Sequence, residues 1–367
     1  MDRVVISGGG TGGHIFPAIA IANELKDRFP TIDVLFVGAL GKMEMQKVPA
    51  AGYKIIGLPI TGFQRRITLS NFLLPFKLIY SLFLAYRLIK KFNPDVVIGV
   101  GGYASGPTLR MAALAGIPSV IQEQNSFPGK TNQLLAKHVS KVCVAYDGLD
   151  VFFPASKLIF TGNPVRNEVI TITGKRESGI NFFKLDPSRK TILIVGGSLG
   201  ARTLNESIVS NLEIIYESGC QVLWQCGSYY FPQLNESNHL FVNNRVHLNE
   251  FIKEMDLAYS VADIIVSRAG AISISELCLV KKPIILVPSP NVAEDHQTKN
   301  ALALSSKNAA LLVSDVSAKT VLIPTVLSTL KDDVLMKELS MNISKLGIND
   351  AANRIVNELV NLVSHGK

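Results

Sequence analysis

Two glycine-rich loops, and a few polar residues beside them, are where this sequence has the means to do chemistry. Residues 8–13 read Gly8-Gly9-Gly10-Thr11-Gly12-Gly13, and residues 196–201 read Gly196-Gly197-Ser198-Leu199-Gly200-Ala201. Each follows a short apolar run and opens onto a stretch with helical spacing. A glycine loop that ends at a helix start offers unpaired backbone N–H groups and the positive end of the helix dipole, a site suited to phosphate. Each such contact is modest, on the order of 0.3–2 kcal/mol. One loop alone reads also as glycines that let a helix pack closely on a strand; two loops at matching places, 188 residues apart (196 − 8), favour phosphate binding.

The residues around the loops narrow the choice. A dinucleotide site needs an acidic side chain at the end of the second strand for the ribose hydroxyls. Here the second strands run into Gly38-Ala39-Leu40 and Gln225-Cys226-Gly227, and no Walker-type lysine follows either loop. His14 stands at the start of the first helix, where the dipole disfavours imidazolium and leaves a neutral ring able to accept a proton. From position alone it is either a general base or a helix cap. In the second half Ser267-Arg268-Ala269-Gly270-Ala271 follows a strand, and Glu276 lies on the helix beyond it. That carboxylate reads either as an acceptor for both hydroxyls of a ribose or as an acid complementing the helix dipole.

The elements that must position these residues repeat one plan. Residues 4–7, 34–38, 96–99, 119–121 and 142–145 read as strands, with helical spacing over 14–28, 80–92, 103–115 and 129–137. The second half predicts strands at 191–195, 222–225, 263–266 and 283–287, and helices at 201–218, 271–280, 294–305 and 319–330. Continuous β-branched runs alternating with helices indicate α/β architecture, here two doubly wound parallel sheets in tandem with a ligand cleft between them. The expected domains are 1–163 and 164–347, with a linker and hinge in 154–166. The tail, 334–365, reads as helix except near 347–350, and the last helix, about 348–367, is expected to pack back on the first domain.

Composition sets outer bounds. The 367 residues are 47% apolar and 18% charged, enough for two cores. Cys143, Cys220, Cys226 and Cys278 lie in apolar runs without CxxC spacing, so a disulfide framework and a zinc site are both unexpected. The amino-terminal residues pass straight into the first strand without a signal-peptide pattern, which points to a reducing cytoplasm. Residues 1–163 hold 17 Lys+Arg against 9 Asp+Glu, while 164–367 hold 20 of each, so the whole charge of +8 lies in the first half. That asymmetry reads either as a polyanion or anionic membrane surface for a partner or as solubility alone, and nucleic acid is not the expected partner. Residues 63–92 interleave Phe72, Leu73, Leu74, Phe76, Leu78, Ile79, Tyr80, Leu82, Phe83 and Leu84 with Arg65, Arg66, Lys77, Arg87, Lys90 and Lys91. Nine residues separate Lys77 from Arg87, far short of the ~20 that span a bilayer. The segment suits either the headgroup layer or a core helix with a solvated basic face.

Taken in order, several motifs resemble one family, the MurG N-acetylglucosaminyltransferases of peptidoglycan synthesis. They are Gly9–His14, Gly99-Val100-Gly101-Gly102-Tyr103, Gln122-Glu123-Gln124-Asn125, Gly162-Asn163-Pro164-Val165-Arg166, Gly196-Gly197-Ser198, residues 267–271 with Glu276, and Glu294-Asp295-His296-Gln297 leading to Asn300-Ala301. The resemblance runs from residue 4 to about 310. It implies a GT-B fold and inverting transfer of N-acetylglucosamine from its UDP derivative to undecaprenyl-diphospho-N-acetylmuramoyl-pentapeptide (lipid I), without metal or cofactor, at the cytoplasmic face of the inner membrane. The runner-up is another GT-B UDP-sugar transferase acting on a membrane lipid, and the reading from another class is an epimerase or a sugar-nucleotide-binding protein.

The resemblance also implies roles. Thr11, Gly12, Gly13, His14 and Asn125 face the reacting centre, with His14 as base and Asn125 and Glu276 also catalytic. Ser198 and Arg166 meet the diphosphate, Ile252 the uracil through its backbone, and Glu276 the ribose. Ala271, Ile272, Ser273, Ile274 and Ser275 line the phosphate side, and Gln297 contacts sugar hydroxyls. Leu199 departs from the family, many of whose members carry glutamine there.

Overall fold

The computed structural model describes residues 1–61, 74–236, 241 and 245–365. The chain divides into two compact units, Met1–Val165 with Ile348–Lys367, and Arg166–Gly347. The break falls two residues later than the sequence indicated.

In the first unit seven strands form one parallel sheet: β1 (Arg3–Ser7), β2 (Asp33–Ala39), β3 (Lys54–Leu58), β4 (Val96–Gly99), β5 (Ser119–Glu123), β6 (Lys141–Val144) and β7 (Leu158–Phe160), in the order β3-β2-β1-β4-β5-β6-β7. Val4, Val5, Ile6, Val96, Val97 and Ile98 are fully buried because helices cover both faces, which is why these strands read as unbroken apolar runs. The order reverses between β1 and β4, and ligands of such sheets bind at the carboxyl ends of the strands beside the switch point. The first glycine loop follows β1, and Gly101-Gly102 follow β4.

β3 and β7 are edge strands that periodicity did not anticipate. β7 lies inside the stretch expected to be a linker; it pairs through Val142↔Leu158 and Val144↔Phe160. The final helix, Ala351–His365, packs on the Gly12–Arg28 helix, with Ile355, Val356 and Leu359 fully buried beside Ile21, Ala22 and Leu25. Arg28 fastens the pair, its Nη1 donating to Asn357 Oδ1 at 2.7 Å.

The second unit holds β8 (Thr191–Val195), β9 (Gln221–Gln225), β10 (Val246–Asn249), β11 (Ile264–Ser267), β12 (Ile284–Leu286) and β13 (Leu311–Leu312), also parallel, in the order β10-β9-β8-β11-β12-β13. Here the switch lies between β8 and β11, where the second glycine loop and the Arg268-Ala269-Gly270 turn emerge. The helix expected over 201–218 is two helices, Arg202–Val209 and Leu212–Glu217. Asn211 breaks it, its Nδ2 donating to Ser207 O (2.8 Å) and Lys319 O (2.9 Å). Such local side-chain bonds compete with helix continuation.

Candidate active site

In the first unit the loop after β1 is held from two sides. Gly9 N–H donates to Gly101 O at 3.2 Å. Gly102, at φ +87°, lies so close that a Cβ there would be 2.3 Å from Gly9 O, so only glycine fits. From the other side comes Glu44, 1% exposed, on the Glu44–Ala50 helix. Its Oε2 accepts from Gly10 N–H at 2.8 Å and its Oε1 from Ala39 N–H at 3.0 Å. This corrects the expectation that the loop presents unpaired amides throughout: the Gly10 amide is bound by a carboxylate of the protein itself. The Gly12 and Gly13 amides belong to the first turn of the helix, where backbone N–H groups have no intrahelical acceptor. Thr11 is the N-cap residue and exposed, and its hydroxyl makes no cap hydrogen bond.

Glu44→Ala is expected to lower stability by about 2–4 kcal/mol, because two buried N–H groups lose their acceptor and a cavity is left. Urea denaturation followed in the first unit checks this, and an unchanged midpoint would show that the carboxylate does not hold the loop.

His14, partly buried in the first turn of the helix, has its Nδ1 3.0 Å from Gln124 Oε1. Gln124 and Gln122 are fixed at the carboxyl end of β5. Asn125 follows them, its backbone N–H donating to Glu123 Oε1 at 3.0 Å and its Nδ2 to the same oxygen at 3.2 Å. The buried Glu123 also accepts from Gly129 N–H and Asn132 Nδ2, at 3.1 and 2.8 Å. The Gln122–Asn125 motif is thus one hydrogen-bonded platform beside His14.

In the second unit the glycine loop presses against the end of β9. Gly200, at φ +89°, lies where a Cβ would be 2.0 Å from Cys226 O, and Ser198 O accepts from Ser228 N–H at 3.0 Å. Ser198 is exposed, and Leu199 is 71% exposed. The Ala271–Val280 helix begins after Gly270, and Glu276 sits in its second turn. Burial pushes the Glu276 carboxyl up to about 7, against the opposing pull of Arg166 and of the Tyr259 hydroxyl. Arg166 Nη2 lies 3.9 Å from Glu276 Oε1, and Tyr259 Oη donates to Oε2 at 3.5 Å. Arg166 is 47% exposed, whereas Tyr259 is buried and stays protonated.

Other expected contacts are partly pre-empted by the fold. Ile252 N–H donates to the buried Gln225 Oε1 at 2.9 Å, which leaves its carbonyl, not its N–H, for a base. Ile274 and Ala271 are packed in the core, 2% and 8% exposed, so their side chains line nothing; Ile272, Ser273 and Ser275 are partly exposed. Gln297 Oε1 accepts from Ala269 N–H (3.2 Å) and Ser289 N–H (2.9 Å), tying the turn after β11 to the loop after β12. Arg268 reinforces the same tie by donating to Val287 O at 3.0 Å and pairing with Asp315.

Two family models match most of the chain. The "Glycosyltransferase family 28 N-terminal domain" matches residues 4–144, and the "Glycosyltransferase family 28 C-terminal domain" matches 191–355. The chain belongs to glycosyltransferase family 28. Among family 28 relatives is the UDP-N-acetylglucosamine--N-acetylmuramyl-(pentapeptide) pyrophosphoryl-undecaprenol N-acetylglucosamine transferase of Parabacteroides distasonis, 55% identical over 361 residues and 98% of each chain. The protein of the same name from Flavobacterium psychrophilum is 51% identical over 365 residues, covering 100% of this chain and 99% of its own. The crystal structure of Acinetobacter baumannii MurG aligns with TM-score 0.79 at 28% identity, over 98% of this chain and 100% of that one. A UDP-GlcNAc 2-epimerase from Neisseria meningitidis aligns at 0.69 and 16% identity, a likeness of fold alone. The family 28 match establishes a two-domain GT-B α/β glycosyltransferase.

Four residues of this site were given no role by the sequence reading: Glu44, Gln124, Tyr259 and Arg268. Gln124 and Arg268 were visible within their motifs but indistinguishable in role from their neighbours. Glu44 and Tyr259 gave no signal, since nothing local marks a side chain that reaches across to another element.

Proposed function

We propose that this glycosyltransferase moves N-acetylglucosamine from UDP-N-acetylglucosamine to the muramoyl 4-hydroxyl of lipid I, with inversion, to give lipid II. The full-length similarity to transferases named for that donor and acceptor carries the reading, and the site chemistry supports it. The second unit holds the donor: Glu276 accepts from the ribose hydroxyls, Ile252 O meets the uracil, and Ser198 with its loop amides and Arg166 neutralises the diphosphate. Gln297, its carbonyl committed to backbone, offers its NH₂ to the sugar. In the first unit Thr11, the Gly12 and Gly13 amides and Asn125 position the acceptor, and His14 removes the proton from the attacking hydroxyl. The C1–O bond to the diphosphate then breaks and its electrons leave on UDP. A transfer assay with radiolabelled donor and a short-chain lipid I analogue, run with and without chelator, tests the reading. Lipid II formed equally in both supports it, while epimerised donor or binding without transfer overturns it.

We further propose that the protein sits on the cytoplasmic face of the plasma membrane through the Leu74–Phe92 helix. No helix among the described residues is long and apolar enough to cross a membrane. On this helix Ala85, Leu88 and Ile89 are buried, while Phe76, Ile79, Tyr80 and Phe83 are 71%, 65%, 54% and 53% exposed, a stripe at helical spacing. Arg87 lies over the Phe83 ring and Lys90 over Tyr86, among Lys77 and Lys91. An apolar stripe flanked by cations suits an anionic headgroup layer. Residues 63–73 of the expected segment, with Arg65, Arg66, Phe72 and Leu73, lie outside the described residues. Changing Phe76, Ile79 and Phe83 together to serine is expected to reduce sedimentation with phosphatidylglycerol vesicles by more than about tenfold, with donor affinity unchanged. Undiminished vesicle binding would place the membrane contact elsewhere.

A further inference from the structure

We propose that Gln124 is a positioning residue that fixes the His14 ring with its hydrogen on Nδ1, leaving Nε2 as the basic nitrogen. The proposal rests on the reading of His14 as the base.

The argument is one of hydrogen-bond polarity in a buried chain of amides. Gln124, Gln122 and Asn163 are 1%, 0% and 2% exposed, so their polar atoms must be matched inside the protein. Gln124 Nε2 lies 2.7 Å from Val100 O and 3.2 Å from Gln122 O, and it also meets Gln122 Oε1. All three neighbours are acceptors, so this end of the amide must be the NH₂. Gln122 is itself oriented, because its Nε2 donates to Asn163 Oδ1 at 2.9 Å while Asn163 Nδ2 donates to Gln124 O at 3.0 Å. Asn163 therefore fixes Gln122, Gln122 fixes Gln124, and Gln124 turns its Oε1 to His14 Nδ1 at 3.0 Å. A carbonyl oxygen only accepts, so His14 Nδ1 must carry the hydrogen. A neutral imidazole has one N–H, and its lone pair is then on Nε2.

Two further features hold this state. The backbone of Gly101 lies against the ring, so close that a methyl group there would come within 2.7 Å of His14 Cε1, which limits the room for the imidazole on that side. The carboxylates on the adjoining elements are engaged elsewhere: Glu44 on Gly10 and Ala39 N–H, and Glu123 on Asn125 and Gly129 N–H. The partner at Nδ1 is thus a neutral amide, which orients the ring without adding the charge that a carboxylate partner would. In the reaction Nε2 takes the hydroxyl proton as the new O–C1 bond forms, and Nδ1–H keeps its bond to Gln124 throughout.

The test is ¹⁵N NMR of histidine-labelled protein, with the His14 signal assigned by its loss in His14→Gln. A pyrrole-type Nδ1 and a pyridine-type Nε2 at neutral pH are expected, and the opposite pattern overturns the proposal whatever His14→Ala does to turnover. Gln124→Met, similar in volume but without the acceptor, is expected to lose that pattern and to lower kcat by about 10- to 100-fold, with donor KM within twofold. Gln124→Glu restores an acceptor and should restore the Nδ1–H pattern. Full kcat in Gln124→Met overturns the positioning role, and the wild-type spectrum decides the question if that variant does not fold. Should His14→Ala retain turnover, the base reading fails, and the spectrum still tests the tautomer alone.

Discussion

His14→Ala is expected to lower kcat for sugar transfer by about 10²- to 10⁴-fold, the usual contribution of a positioned general base, while leaving the affinity for UDP-N-acetylglucosamine within twofold. The ring is partly exposed and contributes no core packing, so the fold should tolerate its loss. The donor groups named above all lie in Arg166–Gly347, whereas His14 lies in the other unit. Parallel calorimetry of donor binding and a transfer assay separate the outcomes. Equal loss of donor affinity and turnover would mean that the ring supports structure rather than chemistry.

Glu276→Gln should weaken UDP-N-acetylglucosamine binding by about 10- to 150-fold, since hydrogen bonds to a charged acceptor are worth about 1.5–3 kcal/mol, and should also abolish its pH dependence. The sign follows from burial, which pushes the carboxyl up to about 7. Ribose hydroxyls donate to the carboxylate better than to the acid. Binding therefore releases a proton below pH 7, and the dissociation constant rises as pH falls, approaching tenfold per unit, and levels off above about 7. A sugar-linked diphosphate does not titrate in this range, so the slope belongs to the protein. In the free protein the raised value has the opposite consequence for stability: that contribution is full below the unfolded value, near 4.5, and is lost as pH rises through 7. Calorimetric titrations between pH 5.5 and 8.5 check both points, and a flat wild-type profile would place the ribose away from Glu276.

The central strands and the two loops were legible because burial on both faces leaves β1, β4, β8 and β11 as runs of Val and Ile with no competing periodicity. The edges were not. β7 and β13 are short, and in β3 and β10 residues such as Lys54, His247 and Asn249 interrupt the apolar run so that it reads as loop. The break at Asn211 was hidden for a related reason: one of the two bonds that hold its side chain is to Lys319, more than a hundred residues away. The site divides along the same line. His14, Glu276 and the loops announce themselves by local context, whereas Gln225 on Ile252, Glu44 on Gly10 and Gln124 on His14 depend on which strands become neighbours. Motif order locates a pocket, and the direction of a hydrogen bond inside it requires the fold.

The return of residues 348–365 to the first unit has a consequence for how the protein is made on the ribosome. Ile355, Val356 and Leu359 complete a core that also contains Val4 and Ile6. The Gly12–Arg28 helix must therefore wait for residues that are translated only after the whole second unit. Throughout translation of the second unit, the flank of the Gly12–Arg28 helix that these three side chains cover stays wetted and sticky. A nascent-chain chaperone would have most to shield there, and shortening the tail would harm yield before it harmed chemistry.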